Sequence, residues 1–234
     1  DLGGRILQHT AVTGFQRVGD KVVAVETSAG TFSCDTLILA AGPQTGRLSA
    51  LLDSEVPVAP ARAEMIVTEP LPLMPIGGVD GNYLYGRQTL RGNLAYGGGP
   101  HEWLSPEDDP VAARPSSPLA RNVAKRLAEL FPKAGHIRVI RSWAGVIENT
   151  PDGRPVIDRL PTARNAIVAT MSSVGFGLSP ASGRAISQIA LNGACDFADL
   201  SSFRLSRFGN LNPGWREERG WVPLNTDDDD AHAA

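Results

Sequence analysis

The sequence predicts an α/β segment joined to an α+β segment, and three observations carry that reading. Residues 36–40, TLILA, are a continuous apolar run ending in Ala41-Gly42-Pro43, the pattern of a parallel strand buried on both faces. Residues 62–97 hold three strand-like runs separated by Pro and Gly, and an amphipathic helix pattern follows them, as in an antiparallel sheet covered on one side. Residues 172–177, SSVGFG, form a small-residue loop between a strand and a helix, where backbone can approach a ligand closely.

Taken in order, residues 6–34 read as three short antiparallel strands broken at Gly14, Gly19-Asp20 and Ala29-Gly30. The buried strand at 36–40 follows, then a helix over 44–52. The C-terminal end of that strand is where ligands lie in open α/β sheets. After Asp53 the composition shifts to Pro and Gly, with strands expected over 62–68, 83–87 and 93–97. Leu119, Val123, Leu127 and Leu130 then recur at helical spacing between Pro118 and Pro132, which predicts a helix over 119–131 covering a sheet. A long strand over 136–147 is closed by Trp143-Ala144-Gly145, and Pro151-Asp152-Gly153 is a turn. Shorter strands are expected at 155–157 and 166–170, and a helix opening near Pro180 with Gly193 as its C-cap. The expected domains are 1–52, an inserted antiparallel domain over 53–148, a return over 149–198, and a closing segment with a flexible acidic tail over 199–234.

Composition narrows the function classes. The 234 residues carry 22 basic and 25 acidic side chains, and four of the acids are the run Asp227-Asp228-Asp229-Asp230. No basic stripe marks a nucleic-acid surface, no apolar run is long enough to span a bilayer, and no signal pattern opens the chain, so a cytoplasmic protein is expected. The two cysteines, Cys34 and Cys195, and the scattered His9, His101, His136 and His232 make neither a disulfide framework nor a metal-ligand spacing, so no metal is expected. His101 reads as a surface-loop histidine.

The linked motifs of the C-terminal third resemble a known family. Trp143-Ala144-Gly145, then Thr150, Asp152, Gly153 and Pro155, then Gly175-Phe176 before a helix, are similar to the flavin-dependent D-amino-acid oxidase, glycine oxidase and sarcosine oxidase group. The resemblance covers about residues 6–208. It implies a partial, Rossmann-like FAD-binding domain, an antiparallel substrate domain, and oxidation of the C–N bond of an amino acid or secondary amine. Residues 172–177 and the positive end of the helix after them would then face the flavin ring, whose O2 carbonyl suits those donors. Gly145, Ser173, Val174, Gly175, Phe176 and Gly177 match positions at the flavin, and Val12, Ala40, Ala41 and Gly42 match positions on the adenosine side of FAD. The plain account of Ala41-Gly42 is a tight end to a buried strand.

Two departures stand beside the resemblance. The Gly-x-Gly-x-x-Gly phosphate fingerprint is nowhere in the chain, and Gly97 to Pro100 does not replace it, so a fragment or a subunit that does not retain FAD by itself is expected. The alternative is a non-catalytic partner or remnant that needs a second chain to hold FAD. The family's carboxylate-gripping arginine or lysine matches Ser173 and Gly177 here, so Arg87 is the expected substrate anchor, with Tyr83 and Tyr85 on the same strand face by period two. A solvated arginine and half-buried strand tyrosines are the structural alternative. Arg62 and Glu64 are expected to pair across strands.

Overall fold

The computed structural model describes residues 3–74, 77–104 and 113–219. The chain divides into two compact units, Asp1–Val58 with Glu148–Leu211, and Ala59–Ile147 with Asn212–Ala234. The acidic run at 227–230 lies outside the described residues.

In the first unit, β1 (Val12–Val18), β2 (Lys21–Thr27) and β3 (Gly30–Ser33) form the expected antiparallel meander. Its second turn is closed by Thr27, whose hydroxyl donates to the Gly30 carbonyl at 2.7 Å. A second sheet has the order β10 (Val156–Leu160), β11 (Ala163–Thr170), β4 (Leu37–Leu39), with β10 and β11 antiparallel and β11 and β4 parallel. The runs TLILA and NAIVAT become strands because apolar side chains point both ways from them. Leu39, Ala166 and Val168 share a core with Val22, Leu48, Leu52 and Val156, while Ile157 and Ile167 pack under Ile189 of α3 (Gly175–Asn192). Asn165 ties the sheets together, its amide bonding both the N–H and the carbonyl of Val22 at 2.8 Å.

Helix α3 starts five residues earlier than the proline suggested. Pro180 lies inside it and lacks the N–H that would bond the Phe176 carbonyl; the Ser179 hydroxyl takes that acceptor at 2.9 Å, so the helix continues through the proline. The helix ends at Gly193, left-handed at φ +86°, with its N–H on the Ile189 carbonyl, as expected. The preceding short helix, α1 (Thr45–Ala50), follows the turn at Gly42 and Pro43.

The second unit is a five-stranded sheet, β6 (Leu84–Gln88), β7 (Asn93–Gly98), β5 (Ala59–Pro70), β8 (Glu102–Trp103), with β9 (Val139–Asn149, in this unit to Ile147) also on β5. Helix α2 (Ser117–Leu130) covers one face, inserting Val123 and Leu127 among Ile66, Leu84, Leu94 and Tyr96. Three expectations are corrected here. Strand β9 begins at Val139 and runs past Gly145 and Ile147 to Asn149, so its bounds differ from the expected 136–147. Arg62 does pair across strands, with Glu102 of β8 at 2.7 Å, whereas Glu64 is fully buried and accepts the Ser116 N–H at 3.1 Å. Residues 212–219, expected within a flexible tail, fold onto this unit through α4 (Trp215–Glu218), where Trp215 meets Trp103 edge to face at 5.5 Å.

Candidate active site

The parallel pairing of β4 and β11 sets the geometry. Leu39 lies opposite Val168, so the segments leaving both strands emerge at the same, carboxyl end of the sheet. From β4 comes Ala40-Ala41-Gly42, with Ala40 exposed and Gly42 left-handed at φ +52°; a side chain there would meet nothing within 4 Å. Val12 and Ala41 pack against one core. From β11 comes Met171-Ser172-Ser173-Val174, and then α3. Such a crevice outside the carboxyl ends of parallel strands is where a ligand finds backbone amides.

Two consecutive serines shape this crevice. Ser172 and Ser173 have φ of +48° and +74°, conformations that cost about 1 kcal/mol each for a residue with a Cβ. Hydrogen bonds offset that cost. The Ser172 hydroxyl accepts the Thr150 N–H at 3.2 Å, and the Ser173 hydroxyl is shared between the Glu148 carbonyl at 3.0 Å and the Asn149 side-chain oxygen at 3.1 Å. The Glu148 carboxylate accepts the Met171 N–H at 3.1 Å. The turn is braced behind by Asp152, which takes two bonds from Arg207, at 2.8 and 3.1 Å. Burial opposes ionisation of Asp152, but the bonds from Arg207, the Arg154 N–H and Thr150 outweigh it and hold the carboxyl below its usual range.

What remains unpartnered is a set of donors. No side chain caps the N-terminus of α3, and the Asn149 amide nitrogen is buried with no acceptor. Around these donors Val174 and Phe176 are exposed, Phe176 almost completely. Gly177 opens outward, since a Cβ there meets nothing within 4 Å, whereas a Cβ on Gly175 would rest on Met171 at 3.4 Å. Gly175, Phe176 and Gly177 therefore belong to the first turn of α3 and not to the loop before it. An uncapped helix N-terminus with a buried amide donor beside it suits an acceptor group carrying partial negative charge.

The remaining expected residues lie in the second unit. Tyr85 and Arg87 share the exposed face of β6, turned away from α2. Tyr83 is not with them. It precedes the strand in a left-handed conformation at φ +59°, and the Arg126 guanidinium of α2 sits 5.1 Å from its ring centre. Gly145 lies in β9 with open space before it. Sequence reasoning missed the partnerless Asn149 amide and the burial of Glu64. Burial raises the Glu64 carboxyl above its usual range, against the bonds from the Ser116 N–H and Ser142 and the charge of Arg62. His101 is half-buried, and burial with the charge of Arg219 pushes it down to about 4, so it is neutral at physiological pH. Among the described residues no cluster suits a metal ion, and no helix is long and apolar enough to cross a membrane.

Residues 1–189 match the family described as DAO, FAD dependent oxidoreductase. The chain belongs to this family. Among its relatives, the sarcosine oxidase subunit beta of Rhizobium meliloti is 30% identical over 208 residues, covering 88% of this chain and 49% of that one. The glycine oxidase of Pseudomonas aeruginosa is 30% identical over 158 residues, covering 66% of this chain and 41% of that one. The fold matches that of L-proline dehydrogenase from P. horikoshii with a TM-score of 0.76 at 22% identity, over 94% of this chain and 57% of that one. The chain thus spans about half the length of the curated relatives it matches. The family is FAD-dependent, and the donors left unpartnered in the first unit, the open approach at Gly177 and the exposed Ala40 before a left-handed Gly42 fit such a cofactor.

Proposed function

We propose that this chain supplies the flavin-ring end of an FAD site and a substrate-facing sheet to an enzyme that oxidises the C–N bond of an amino acid or secondary amine. The observation that carries the reading is the uncapped N-terminus of α3 beside the partnerless Asn149 amide, at the carboxyl end of parallel strands. Bound FAD supplies the two-electron acceptor through which an amine becomes an imine, which water then hydrolyses. The chain's own residues do the positioning. The α3 amides and Asn149 Nδ2 present donors to an electron-rich carbonyl edge, and they stabilise negative charge that develops there. Ser172 and Ser173, braced by Thr150 and Glu148, keep those donors fixed before any ligand arrives. Ala40, Ala41, Gly42 and Val12 would lie along the adenosine side.

Strand β4 is at the edge of its sheet and the chain has no phosphate fingerprint, so the pyrophosphate grip is assigned to a further segment or a second chain. The relative from Rhizobium meliloti is itself named a subunit, which favours an enzyme of more than one chain. The test is anaerobic addition of sarcosine, glycine or a D-amino acid to the full-length protein containing this chain. Bleaching of the bound flavin's visible absorption by one of them is expected; bound flavin that no amine reduces would leave the non-catalytic alternative standing.

A further inference from the structure

We propose that the face of the second unit's sheet turned away from α2 selects a small amine bearing two carboxylates, held between Arg87 and Arg141. The inference rests on the amine-oxidising reading and deepens it to a substrate class. On β6, Leu84 packs under α2, so Tyr85 and Arg87 point to the opposite face. On β9, Ser142 is close enough to Glu64 to favour its ionised form, and Glu64 lies on the α2 side with Ile66, so Arg141 and Trp143 on either side of Ser142 point the other way as well. The Arg141 guanidinium lies 6.0 Å from the Trp143 ring centre, consistent with a shared face.

Between the two arginines the floor is largely apolar. The register sets Tyr85, Gly97 and Met65 in one row and Arg87, Ala95 and Val67 in the next. Strands β6 and β9 are separated by β7 and β5, so the arginines stand on strands ~14 Å apart, three strand spacings. The Met65 side chain lies over Gly97, so arms reaching inward from both edges leave room over Ala95 for a ligand a few bonds long. Among the described residues the ion pairs engage Arg17, Lys21, Arg62, Arg164 and Arg207, and neither Arg87 nor Arg141 has an acidic partner. A planar guanidinium fork matches a carboxylate. One carboxylate satisfies one fork; a dicarboxylate satisfies both and relieves the repulsion of two like charges over an apolar floor. Arg87 takes the carboxylate next to the amine, and Arg141 the distal one.

The experiment is isothermal titration calorimetry of the full-length protein containing this chain, with glutarate and butyrate as probes that no amine oxidation consumes. Glutarate is expected to bind at least about tenfold more tightly than butyrate, the weight of one further charge-assisted contact. Arg141→Met should abolish that preference while leaving butyrate affinity unchanged, Arg141→Lys should retain part of it, and Arg87→Met should weaken both probes. Equal binding of glutarate and butyrate, or a preference that survives Arg141→Met, overturns the proposal, as does an equal loss on both probes in that variant. Flavin reduction by amines is scored separately on the same protein. A glutarate preference without reduction by any amine would reject the catalytic reading and keep the two-arginine face.

Discussion

The Ser173 hydroxyl reaches the Asn149 side-chain oxygen at 3.1 Å, pinning the second of two left-handed serines to the end of β9 and leaving the other end of the same amide buried without a partner. A buried donor with no acceptor costs on the order of 1–3 kcal/mol, a cost that a ligand acceptor would remove.

Asn149→Asp separates the two ends of that amide. The carboxylate still accepts from Ser173 and is favoured near the positive end of α3, but the donor is gone. FAD affinity of the full-length protein is expected to fall about tenfold or more, the weight of one buried hydrogen bond, with the wild-type circular dichroism spectrum retained. Flavin fluorescence titration measures it, and undiminished affinity would remove Asn149 from the site.

The brace behind the crevice has a pH signature. The folded Asp152 carboxyl sits below its ordinary 3.8, so its contribution to stability is present above that value and is lost as pH falls through the folded pKa. Arg207→Met should therefore lower stability by about 1–2 kcal/mol at pH 7, with the deficit shrinking below pH 3.8. Urea unfolding at both pH values is the check; a deficit that persists unchanged in acid would mean that Arg207 acts through packing alone.

Strands, α2 and the meander were legible in the sequence because their signals are local: alternation in residues 12–27, Leu119, Val123 and Leu127 on one helical face, and unbroken apolar runs in β4 and β11. The family likeness was legible for a similar reason, since its glycine-marked turns lie in order along the chain. What escaped depends on contacts far apart in sequence. Nothing in residues 174–180 announces that the Ser179 hydroxyl lets α3 run through Pro180, and period two cannot foresee that Tyr83 turns toward Arg126 before the strand begins. Trp215 looked like tail because its partner, Trp103, is over a hundred residues away. Glu64 follows the same rule: its spacing from Arg62 suggested pairing across strands, and only the packing of α2 and β9 reveals its burial.

Glu64 carries the opposite sign from Asp152. Burial raises its folded pKa above the ordinary 4.5, so the protonated form is the one the fold favours, and stability is lost as pH rises through the folded value. Glu64→Gln keeps the acceptor for the Ser116 N–H and removes the charge, and it should raise the melting temperature of the second unit at pH 7. The gain should vanish below pH 4.5. Differential scanning calorimetry across that range decides it, and a destabilised variant at neutral pH would show that the carboxylate is favourably paired.

The central claim, that the first turn of α3 faces the flavin, is tested most directly by the FAD content of two glycine variants of the full-length protein. A side chain at Gly177 projects into open space, where the ring would lie, whereas a Cβ at Gly175 settles against Met171. Gly177→Val should purify without FAD and Gly175→Ala with it, both retaining the wild-type circular dichroism spectrum. Stoichiometric FAD in Gly177→Val would contradict the account.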